Sequence, residues 1–237
     1  MKLVDLTLPS PEENLAFDEA LLDESEEGND EEYLRFWEPK EYFVVVGSSN
    51  RVQQEVNVEA CRAEQVPILR RHSGGGAVLQ GPGCLNFCLI LKMQGSLSTI
   101  TGTNTTVLSY HRQALEPLVL KPIERKGFTD LTIGNMKFSG NSQRRRLRYL
   151  MFHGTILLHL ELDRVGRYLR FPSKQPEYRR NRSHGEFIMS LNIPAQAIKQ
   201  AIGNVWSATK RLTVIPSGRI DTLLKERYGL EEWSWRM

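Results

Sequence analysis

The stretch Arg70-Arg71-His72-Ser73-Gly74-Gly75-Gly76-Ala77-Val78 contains three consecutive glycines shortly after two arginines. The residue patterns at 66–71 and 77–80 predict a strand on either side of the glycines. Glycine has no Cβ, so a ligand can approach the backbone amides closely, and guanidinium groups suit phosphate or carboxylate. A glycine-rich turn with solvated arginines is the simpler alternative. The pattern is neither a Walker A loop, which needs Gly-Lys-Ser/Thr, nor a dinucleotide-binding GxGxxG that opens a helix.

Outward from this stretch, the spacing of apolar residues predicts strands in the middle of the chain and helices at its ends. Strands are expected at 33–37, 41–47, 66–71, 77–80, 85–91, 128–133, 136–138 and 149–160. Helices are expected from Pro11 to an acidic loop at 24–32, and at 57–65, 104–118, 163–169, 194–210 and 220–228. With a polar loop at 172–185 and no repeat or linker, this order predicts one α+β domain over residues 1–237.

Local signals mark three of these boundaries. Ser10, Pro11 and Glu13 combine an N-cap, a first-turn proline and a capping-box glutamate, so they predict the start of the first helix. Asn104 is the expected cap of the helix at 104–118. Gly134-Asn135 predicts a two-residue hairpin loop.

Composition excludes several classes of protein. The chain has 237 residues, 40% hydrophobic and 25% charged, which is typical of a globular domain rather than a fibrous or disordered protein. No apolar run reaches the roughly 18 residues of a membrane span, and the N-terminus lacks the apolar segment of a secretory signal. The three cysteines, Cys61, Cys84 and Cys88, favour reduced thiols in a cytoplasmic protein.

Charge is distributed unevenly along the chain. Residues 1–41 contain 14 Asp and Glu against three Lys and Arg, whereas the rest contains 14 acidic and 28 basic side chains. Residues 121–182 alone hold 15 Lys and Arg against five Asp and Glu. A basic region of this size indicates an anionic partner: nucleic acid, phosphates or an acidic protein.

A second candidate site surrounds Lys137, in Gly134-Asn135-Met136-Lys137-Phe138-Ser139-Gly140. If Phe138 shares one face of the sheet with Leu131 and Ile133, strand alternation places Lys137 on the opposite face. The lysine is then either a solvent-facing edge residue or an ammonium in a cleft, where it can bridge a carboxylate and a phosphate.

The third candidate site is His153-Gly154-Thr155, inside an apolar strand. A lone strand histidine is more often a hydrogen-bonded core residue than a ligand. No other His or Cys stands nearby at metal-ligand spacing, so no metal site is expected.

Taken in order, these motifs resemble those of the lipoate–protein ligases. The resemblance rests on five features and covers residues 10–160 best. They are Asn14-Leu15-Ala16-Phe17-Asp18-Glu19; Val46-Gly47 followed by Asn50 and Glu55-Val56-Asn57; the glycine stretch with Asn86; Gly134-x-x-Lys137-x-Ser139-Gly140; and His153-Gly154-Thr155. The Gly-Arg-Gly motif of the related biotin ligases is absent from the sequence.

The resemblance implies a fold and an activity. The fold is expected to be a mixed, largely antiparallel β-sheet flanked by helices. The expected enzyme uses ATP and Mg²⁺ to convert lipoate or octanoate to an acyl-adenylate, releasing pyrophosphate, and passes the acyl group to a protein lysine. Because two anions must meet, stabilising negative charge is the central task.

The resemblance also implies roles for individual residues. Lys137 is the expected catalytic residue, in contact with both the acyl carbonyl and the phosphate. The residues expected to bind ATP or the adenylate are Arg71, Gly75, Gly76, Ala77, Val78, Leu79 and Lys137. The residues expected to bind lipoate are Arg70, Ser73, Gly74, Asn86, Lys137 and His153.

Two departures from the family pattern bear on partners. Gln80-Gly81 stands where the family commonly has His-Asp, which weakens the prediction of nucleotide or metal contacts at this edge. The sequence ends soon after Leu230-Glu231-Glu232-Trp233, so it is expected to be a catalytic domain without the C-terminal accessory domain of many relatives. Either a separate accessory-domain protein supplies that part or the enzyme works without it. The expected acceptor is an acidic lipoyl domain or a protein like the glycine-cleavage H protein, and no membrane partner is expected.

Two alternatives remain open. An octanoyl or lipoyl transferase of the same fold would hold the acyl group on a cysteine, but no cysteine follows Lys137, and Cys84 and Cys88 share one face of an apolar strand. A nucleic-acid-binding protein would use Gln143-Arg144-Arg145-Arg146-Leu147-Arg148. That run contains no aromatic residues for base stacking, so a solvated loop or a docking site for an acidic acceptor is favoured over nucleic acid.

Overall fold

A computed structural model of the chain describes residues 1–236. The strands are β1 (Lys2–Asp5), β2 (Tyr33–Trp37), β3 (Phe43–Val46), β4 (Ile68–Arg70), β5 (Val78–Gln80), β6 (Cys84–Lys92), β7 (Glu124–Lys126), β8 (Asp130–Ile133), β9 (Met136–Arg145), β10 (Tyr149–Leu157) and β11 (Lys210–Arg211). The helices are α1 (Pro11–Glu24), α2 (Val52–Glu55), α3 (Val58–Ala63), α4 (Ile100–Val119), α5 (Leu162–Tyr168), α6 (His184–Phe187), α7 (Ala195–Val205), α8 (Ser217–Leu223) and α9 (Glu231–Trp235). The α+β prediction is confirmed.

The strands form two sheets. The large sheet has eight strands in the order β11-β1-β2-β6-β10-β9-β8-β7. In it, β1 pairs in parallel with β2 and β11, and all other neighbours are antiparallel. The small sheet has the order β4-β3-β5, with β3 parallel to β4 and antiparallel to β5. The predicted mixed, largely antiparallel arrangement is therefore present.

Strand β10 shows how the large sheet separates two faces. Leu150, Phe152 and Ile156 are buried in the core that also contains residues of α4 and α7. His153 and Thr155 alternate with them, so they face the opposite side, where they line a cavity. One face of this strand therefore builds the core and the other carries polar side chains.

Helix α1 begins as predicted. Ser10 Oγ accepts a hydrogen bond from the Glu13 amide at 3.2 Å, and the Glu13 carboxylate accepts one from the Ser10 amide at 2.7 Å. Phe17 and Leu21 are buried against the large sheet and α8. The helix is thereby held beneath the glycine stretch that follows β4.

Helix α4 begins one turn earlier than predicted. Thr99 is its cap, because Thr99 Oγ1 accepts a hydrogen bond from the Gly102 amide at 3.0 Å. Asn104, the expected cap, lies inside the helix and accepts a hydrogen bond from Gln143 Nε2 at 2.7 Å. Neither α4, with 20 residues, nor any other helix in the described part of the chain is long and apolar enough to cross a membrane.

The basic run at 143–148 is not a solvated loop, which corrects that prediction. Strand β9 continues through it to Arg145, which pairs with Leu150 of β10. The Arg145 guanidinium donates to the Leu97 carbonyl at 2.9 Å, so this side chain is fixed against the start of α4. The turn to β10 contains only the last residues of the run.

Most of the remaining basic side chains at this end hold the acidic segment after α1. Arg146 Nη2 lies 2.7 Å from Asp23 Oδ1, and Arg219 forms an ion pair with Glu27. We call these side chains and their neighbours the outer charge network; its acidic members are Asp23, Glu26, Glu27 and Asp30, and its basic members are Lys92, Arg146, Arg148 and Arg219. The uneven charge along the sequence is therefore partly neutralised by pairing in the folded chain.

Candidate active site

A cavity of about 420 Å³ lies between the polar face of the large sheet and the small sheet. Side chains of β6, β9 and β10 form its floor, and β5 with the glycine stretch forms a wall. Apolar residues from two parts of the core also line it: Leu15 and Trp37 beside α1, and Val165, Leu169 and Phe187 around α5 and α6. The cavity therefore combines a polar centre with apolar surroundings, as small-molecule sites generally do.

Arg71 organises the glycine stretch from behind. Its guanidinium donates to the carbonyls of Gly74 at 2.6 Å and Gly76 at 2.9 Å, and to Ser73 Oγ at 3.1 Å. Within residues 1–236, no carboxylate lies within salt-bridge distance of this side chain. Burial lowers the pKa of Arg71 to about 10, so the side chain remains a cation at neutral pH. Its positive charge is oriented by neutral groups and stays available to an anion.

The backbone of the glycine stretch is open towards the cavity. Gly75 has a φ of +90°, and a Cβ on Gly47 would lie 2.0 Å from the Gly75 carbonyl oxygen, so both positions require glycine. In the described chain, the amides of Gly75, Gly76 and Ala77 donate no hydrogen bond. Unpaired amides beside a guanidinium form a concave group of donors suited to phosphate.

Lys137 extends from β9 into the same cavity. Its Nζ lies 2.7 Å from Asp130 Oδ1, and the Tyr178 hydroxyl donates to Asp130 Oδ2 at 2.7 Å. A Cβ on Gly140 would lie 2.7 Å from Lys137 Nζ, so the glycine makes room for the amine. Phe138 is fully buried on the opposite face, which confirms the alternation inferred for this strand.

His153 is neutral and lies at the cavity floor. Burial, with a smaller effect of the Arg71 charge, lowers the pKa of His153 to about 3. Its Nε2 atom is 2.5 Å from Ser73 Oγ. The histidine is therefore both a cavity residue and the partner of a side chain in the glycine stretch.

Next to His153, three polar side chains form a closed ring of hydrogen bonds. Asn86 Nδ2 donates to Gln80 Oε1 at 3.0 Å, Gln80 Nε2 donates to Thr155 Oγ1 at 2.6 Å, and Thr155 Oγ1 donates to Asn86 Oδ1 at 2.6 Å. All three line the cavity. Gln80, which departs from the family pattern, is thus part of the floor and fixes Asn86 and Thr155.

Arg70 faces away from the cavity. Its guanidinium donates to the carbonyls of Gly47 at 2.8 Å, Asn50 at 2.9 Å and Ser234 at 3.0 Å, among others in the same two segments. The side chain is fully buried and does not line the cavity. It joins the loop after β3 to the C-terminal helix α9, so the structure does not bring this predicted lipoate-binding residue to the site.

Glu19 connects α1 to the glycine stretch beside the cavity. Its carboxylate oxygens lie 2.6 Å from His72 Nδ1 and accept a hydrogen bond from Tyr228 OH at 2.6 Å, and Arg227 forms an ion pair with it. Burial would raise the pKa of Glu19, but these three partners outweigh burial and lower it to about 2. The charged carboxylate therefore holds together α1, the residue after Arg71 and the C-terminal segment.

Most of the predicted site residues meet in this one cavity. Those that line it are Arg71, Gly75, Gly76, Ala77, Val78, Leu79, Asn86, Lys137 and His153. Ser73 and Gly74 lie directly behind them, since Ser73 contacts His153 and the Gly74 carbonyl accepts from Arg71 and Ser142. Their binding roles stay predictions, because the chain is described without ligands.

Sequence reasoning assigned no role to several cavity residues. Asp130 and Thr155 each lie inside a motif that was recognised, and strand alternation from His153 would have found Thr155. Arg179 is buried at the cavity, where its guanidinium stacks on Phe171 and Phe187. It comes from the polar loop at 172–185, whose position over the cavity has no signal in the sequence.

The cysteines are inaccessible. Cys61, Cys84 and Cys88 are free and buried, and none of them lines the cavity. Burial raises the pKa of Cys84 to about 12 and that of Cys88 well above its ordinary value. A thiol with a raised pKa is a poor nucleophile, so the buried packing role expected for Cys84 and Cys88 is consistent with their surroundings.

No cluster of three or more His, Cys, Asp and Glu side chains that could hold a metal ion occurs in residues 1–236. Asp130 is a cavity carboxylate, and Mg²⁺ needs only one or two protein carboxylates when phosphates supply its other ligands. The side chains thus fit a metal that arrives with a phosphate compound rather than a metal held by the protein alone.

Comparison with known families identifies the chain's relatives. The model of the lipoyl protein ligase A/B catalytic domain matches residues 10–203. A protein of Aeropyrum pernix, whose name assigns it provisionally to lipoate–protein ligase A, is 33% identical over 67% of this chain and 58% of its own length. The chain spans about half the length of the curated relatives of this name that it matches. Octanoyltransferase LipM of Carboxydothermus hydrogenoformans is 27% identical over 99% of this chain and 98% of that protein.

Solved structures share the fold over the whole chain. A bipartite lipoate protein ligase from Thermoplasma acidophilum, described with its E2 lipoyl domain, has a TM-score of 0.84 at 22% identity and covers 99% of this chain and 96% of that one. A second T. acidophilum structure, with bound lipoic acid, has a TM-score of 0.83 at 20% identity over 100% and 99% of the two chains. A lipoate–protein ligase A bound with ATP has a TM-score of 0.81 at 24% identity over 99% and 98%. At these identities the likeness shows the fold.

Proposed function

Because the chain belongs to the lipoyl protein ligase A/B catalytic domain family, we propose that it is an ATP-dependent lipoate–protein ligase. One observation carries the proposal: the cavity contains an oriented guanidinium, open glycine amides and a lysine amine, but no cysteine. These groups suit a carboxylate and a phosphate, and they offer no thiol for a thioester. Residues 1–237 would act as one catalytic domain.

In the activation step, the substrate carboxylate attacks the α-phosphorus of ATP. A new O–P bond forms, and the bond to the β-phosphate breaks as pyrophosphate leaves with the electron pair. Arg71 and the amides of Gly75 and Gly76 bind the phosphate, and Lys137 bridges the phosphate and the acyl oxygen. These cations reduce the repulsion between two anions and hold them in line. Ala77, Val78 and Leu79 contact the adenine side.

In the transfer step, a deprotonated lysine amine of the acceptor attacks the acyl carbonyl carbon. A C–N bond forms, the C–O bond to phosphate breaks, and AMP leaves with the electron pair. The proton lost by the amine passes to water. Lys137 stays near the carbonyl oxygen and the leaving phosphate, so it can stabilise charge in both steps.

The binding of Mg²⁺ follows from the same arrangement. Asp130 would supply one carboxylate ligand, and ATP phosphates would supply others. Bound there, the ion would neutralise phosphate charge. Asp130 already contacts Lys137 at 2.7 Å, so it also positions the amine.

The substrate is proposed to be lipoate or octanoate, with the carboxylate at the polar centre of the cavity. Asn86 and His153 border the acyl group, and the apolar residues beside α1 contact its chain. The proposed acceptor is an acidic lipoyl domain or a protein like the glycine-cleavage H protein, with a separate accessory-domain protein as a second partner. The T. acidophilum likeness, to a bipartite ligase described with a lipoyl domain, supports both partners.

A cysteine-dependent octanoyltransferase is the second candidate function. It is supported by the match to LipM over nearly the full length of both chains. Against it stand the burial of Cys84 and Cys88 and their raised pKa values. The two functions differ in one requirement, since only the ligase consumes ATP.

The test is to incubate the pure chain with lipoate, an acceptor domain and either ATP or no nucleotide, with and without a candidate accessory protein. Pyrophosphate release and acceptor mass are recorded separately. A ligase releases pyrophosphate and modifies the acceptor only with ATP. Cys84→Ser and Cys88→Ser should retain activity within about threefold, with Cys84→Ala and Cys88→Ala as variants that bury no hydroxyl. Acceptor modification from an octanoyl carrier protein without ATP, abolished by either cysteine variant, would establish the transferase instead.

A further inference from the structure

A chain of hydrogen bonds determines where the proton of His153 resides. Arg71 Nε lies 3.1 Å from Ser73 Oγ, and Ser73 Oγ lies 2.5 Å from His153 Nε2. A guanidinium only donates, so Ser73 Oγ accepts from Arg71. The hydroxyl has one hydrogen, and in the described chain its only other partner is His153 Nε2. The Ser73 hydroxyl therefore donates to Nε2.

The remaining ring nitrogen follows from this. A neutral imidazole carries one proton, so when Nε2 accepts, the proton lies on Nδ1. Burial and Arg71 keep the ring neutral, since they lower the pKa of His153 to about 3. Nδ1 has no hydrogen-bond partner in residues 1–236, yet it is not among the enclosed unpaired atoms, and His153 lines the cavity. Nδ1–H is thus open towards the cavity.

We propose that Ser73 is a positioning residue that fixes His153 as the Nδ1–H tautomer, so that a neutral donor faces the acyl carbonyl oxygen of the substrate. The role given to the donor rests on the proposed ligase function, whereas the tautomer does not. In the transfer step, His153 neither gains nor loses a proton. It donates a hydrogen bond to the oxygen as negative charge develops there, and Lys137 stabilises the same region with its charge.

The strand register supports this placement. Lys137 Nζ lies over Gly140, and Gly140 pairs with Thr155 of β10. His153 is two residues from Thr155 on the same face, which is about 7 Å along a strand. The lysine and the histidine therefore approach one ligand from neighbouring positions. With its proton on Nδ1 and its Nε2 occupied by Ser73, the histidine cannot serve as the base for the acceptor amine.

The tautomer can be measured directly by two-bond ¹H–¹⁵N correlation spectra of the ¹⁵N-labelled full chain, with His153→Gln to assign the signals. We expect Nδ1–H in the unmodified protein and the Nε2–H form to appear in Ser73→Ala. Ser73→Thr keeps the hydroxyl and should restore Nδ1–H. Ser142→Ala is the matched control, because Ser142 also lines the cavity but donates to the Gly74 carbonyl rather than to His153. It should leave the tautomer unchanged.

Kinetics test the role of the donor. Ser73→Ala should slow acyl transfer from preformed acyl-adenylate by roughly 10- to 100-fold, with KM for ATP within about twofold and recovery in Ser73→Thr. Nε2–H in the unmodified protein, or unchanged spectra in Ser73→Ala, would overturn the positioning role. A shifted tautomer with an unchanged transfer rate would overturn the donor role. The spectra need no substrate, so an inactive protein with the expected tautomer would count against the ligase function alone.

Discussion

Arginine side chains at the cavity and in the outer charge network are bonded in opposite ways. At the cavity, Arg71 donates to carbonyl and hydroxyl oxygens, which orient the guanidinium without cancelling its charge. In the outer charge network, Arg146 and Arg219 face the carboxylates of Asp23 and Glu27. A cation held by neutral groups keeps its affinity for an anionic ligand, whereas a cation held by a carboxylate has already found its anion. The count of basic residues therefore does not locate a binding site.

Lys137 is the intermediate case. It lies at the cavity yet contacts Asp130, whose other oxygen is held by Tyr178. An amine that contacts one carboxylate in a site open to ligand can still contact a second anion. The predictions below test the contrast between cavity and network, beginning with this residue.

Removal of the Lys137 amine should have the largest effect. Lys137→Ala is expected to lower the rate of acyl-adenylate formation by on the order of a thousandfold, because it removes the charge that bridges the two anions. Pyrophosphate release measures this rate. The unfolding midpoint should change little, since the amine packs in no core cluster. Lys126→Ala, an exposed lysine that donates to the Gly134 carbonyl, is the control and should retain activity. Full activity of Lys137→Ala would refute the proposed function.

A matched pair of substitutions tests the contrast itself. Arg71→Gln should lower activity by on the order of 100-fold or more, because the phosphate loses a guanidinium and the glycine stretch loses its support. Arg146→Gln should leave activity within about twofold but reduce the free energy of unfolding by about 1–2 kcal/mol, since Asp23 loses its partner. Steady-state kinetics and urea denaturation of both variants provide the comparison. Equal losses of activity would remove the distinction between the two regions.

The pH dependence of stability should reveal Glu19. Its pKa is about 2 in the folded chain and near 4.5 when unfolded, so the unfolded state binds the proton more readily. The stabilisation is fully present above pH 4.5 and is lost as the pH falls towards 2. It amounts to at most about 3 kcal/mol. Urea titrations between pH 2 and 6 should show this loss, and Glu19→Gln should flatten the curve. An unchanged slope in the variant would assign the acid sensitivity to other groups.

The smallest effect is expected at the exposed end of the network. The Arg148 amide donates to the Glu26 carboxylate at 3.0 Å, and its guanidinium donates to the Glu26 carbonyl. Arg148→Gln keeps the amide and removes only an exposed charge, so thermal unfolding should shift by no more than about 2–4 °C. If acceptor KM rises several-fold while adenylate formation is unchanged, this edge also contributes to acceptor docking. No change in KM would leave the network a purely structural feature.

Much of the site could be predicted from local patterns. Alternation around Phe138 placed Lys137 on the face opposite the core, and Gly134-Asn135 indicated the hairpin that carries it. The capping box at Ser10 and Glu13 placed α1 correctly. These features depend on residues close in sequence, whose geometry is set by backbone periodicity and turn chemistry.

Contacts between distant segments could not be predicted in this way. Thr99 rather than Asn104 caps α4, because Gly102 lets the chain turn against Ser96, where a Cβ would lie 2.1 Å from the carbonyl oxygen. The pairing of the acidic segment with the turn between β9 and β10 joins residues more than 120 positions apart. Such pairs depend on how helices and sheets pack.

Arg70 and Arg71 show the boundary most clearly. The sequence by itself determined that two guanidiniums precede the glycines and, since consecutive side chains of an extended chain point to opposite sides, that only one of them faces a given surface. Only the tertiary structure decided which one. The small sheet packs with Arg71 towards the large sheet and the cavity, and Arg70 towards α9 and the loop after β3. That choice depends on burial of apolar residues from both sheets and the C-terminal helices, which no local pattern contains.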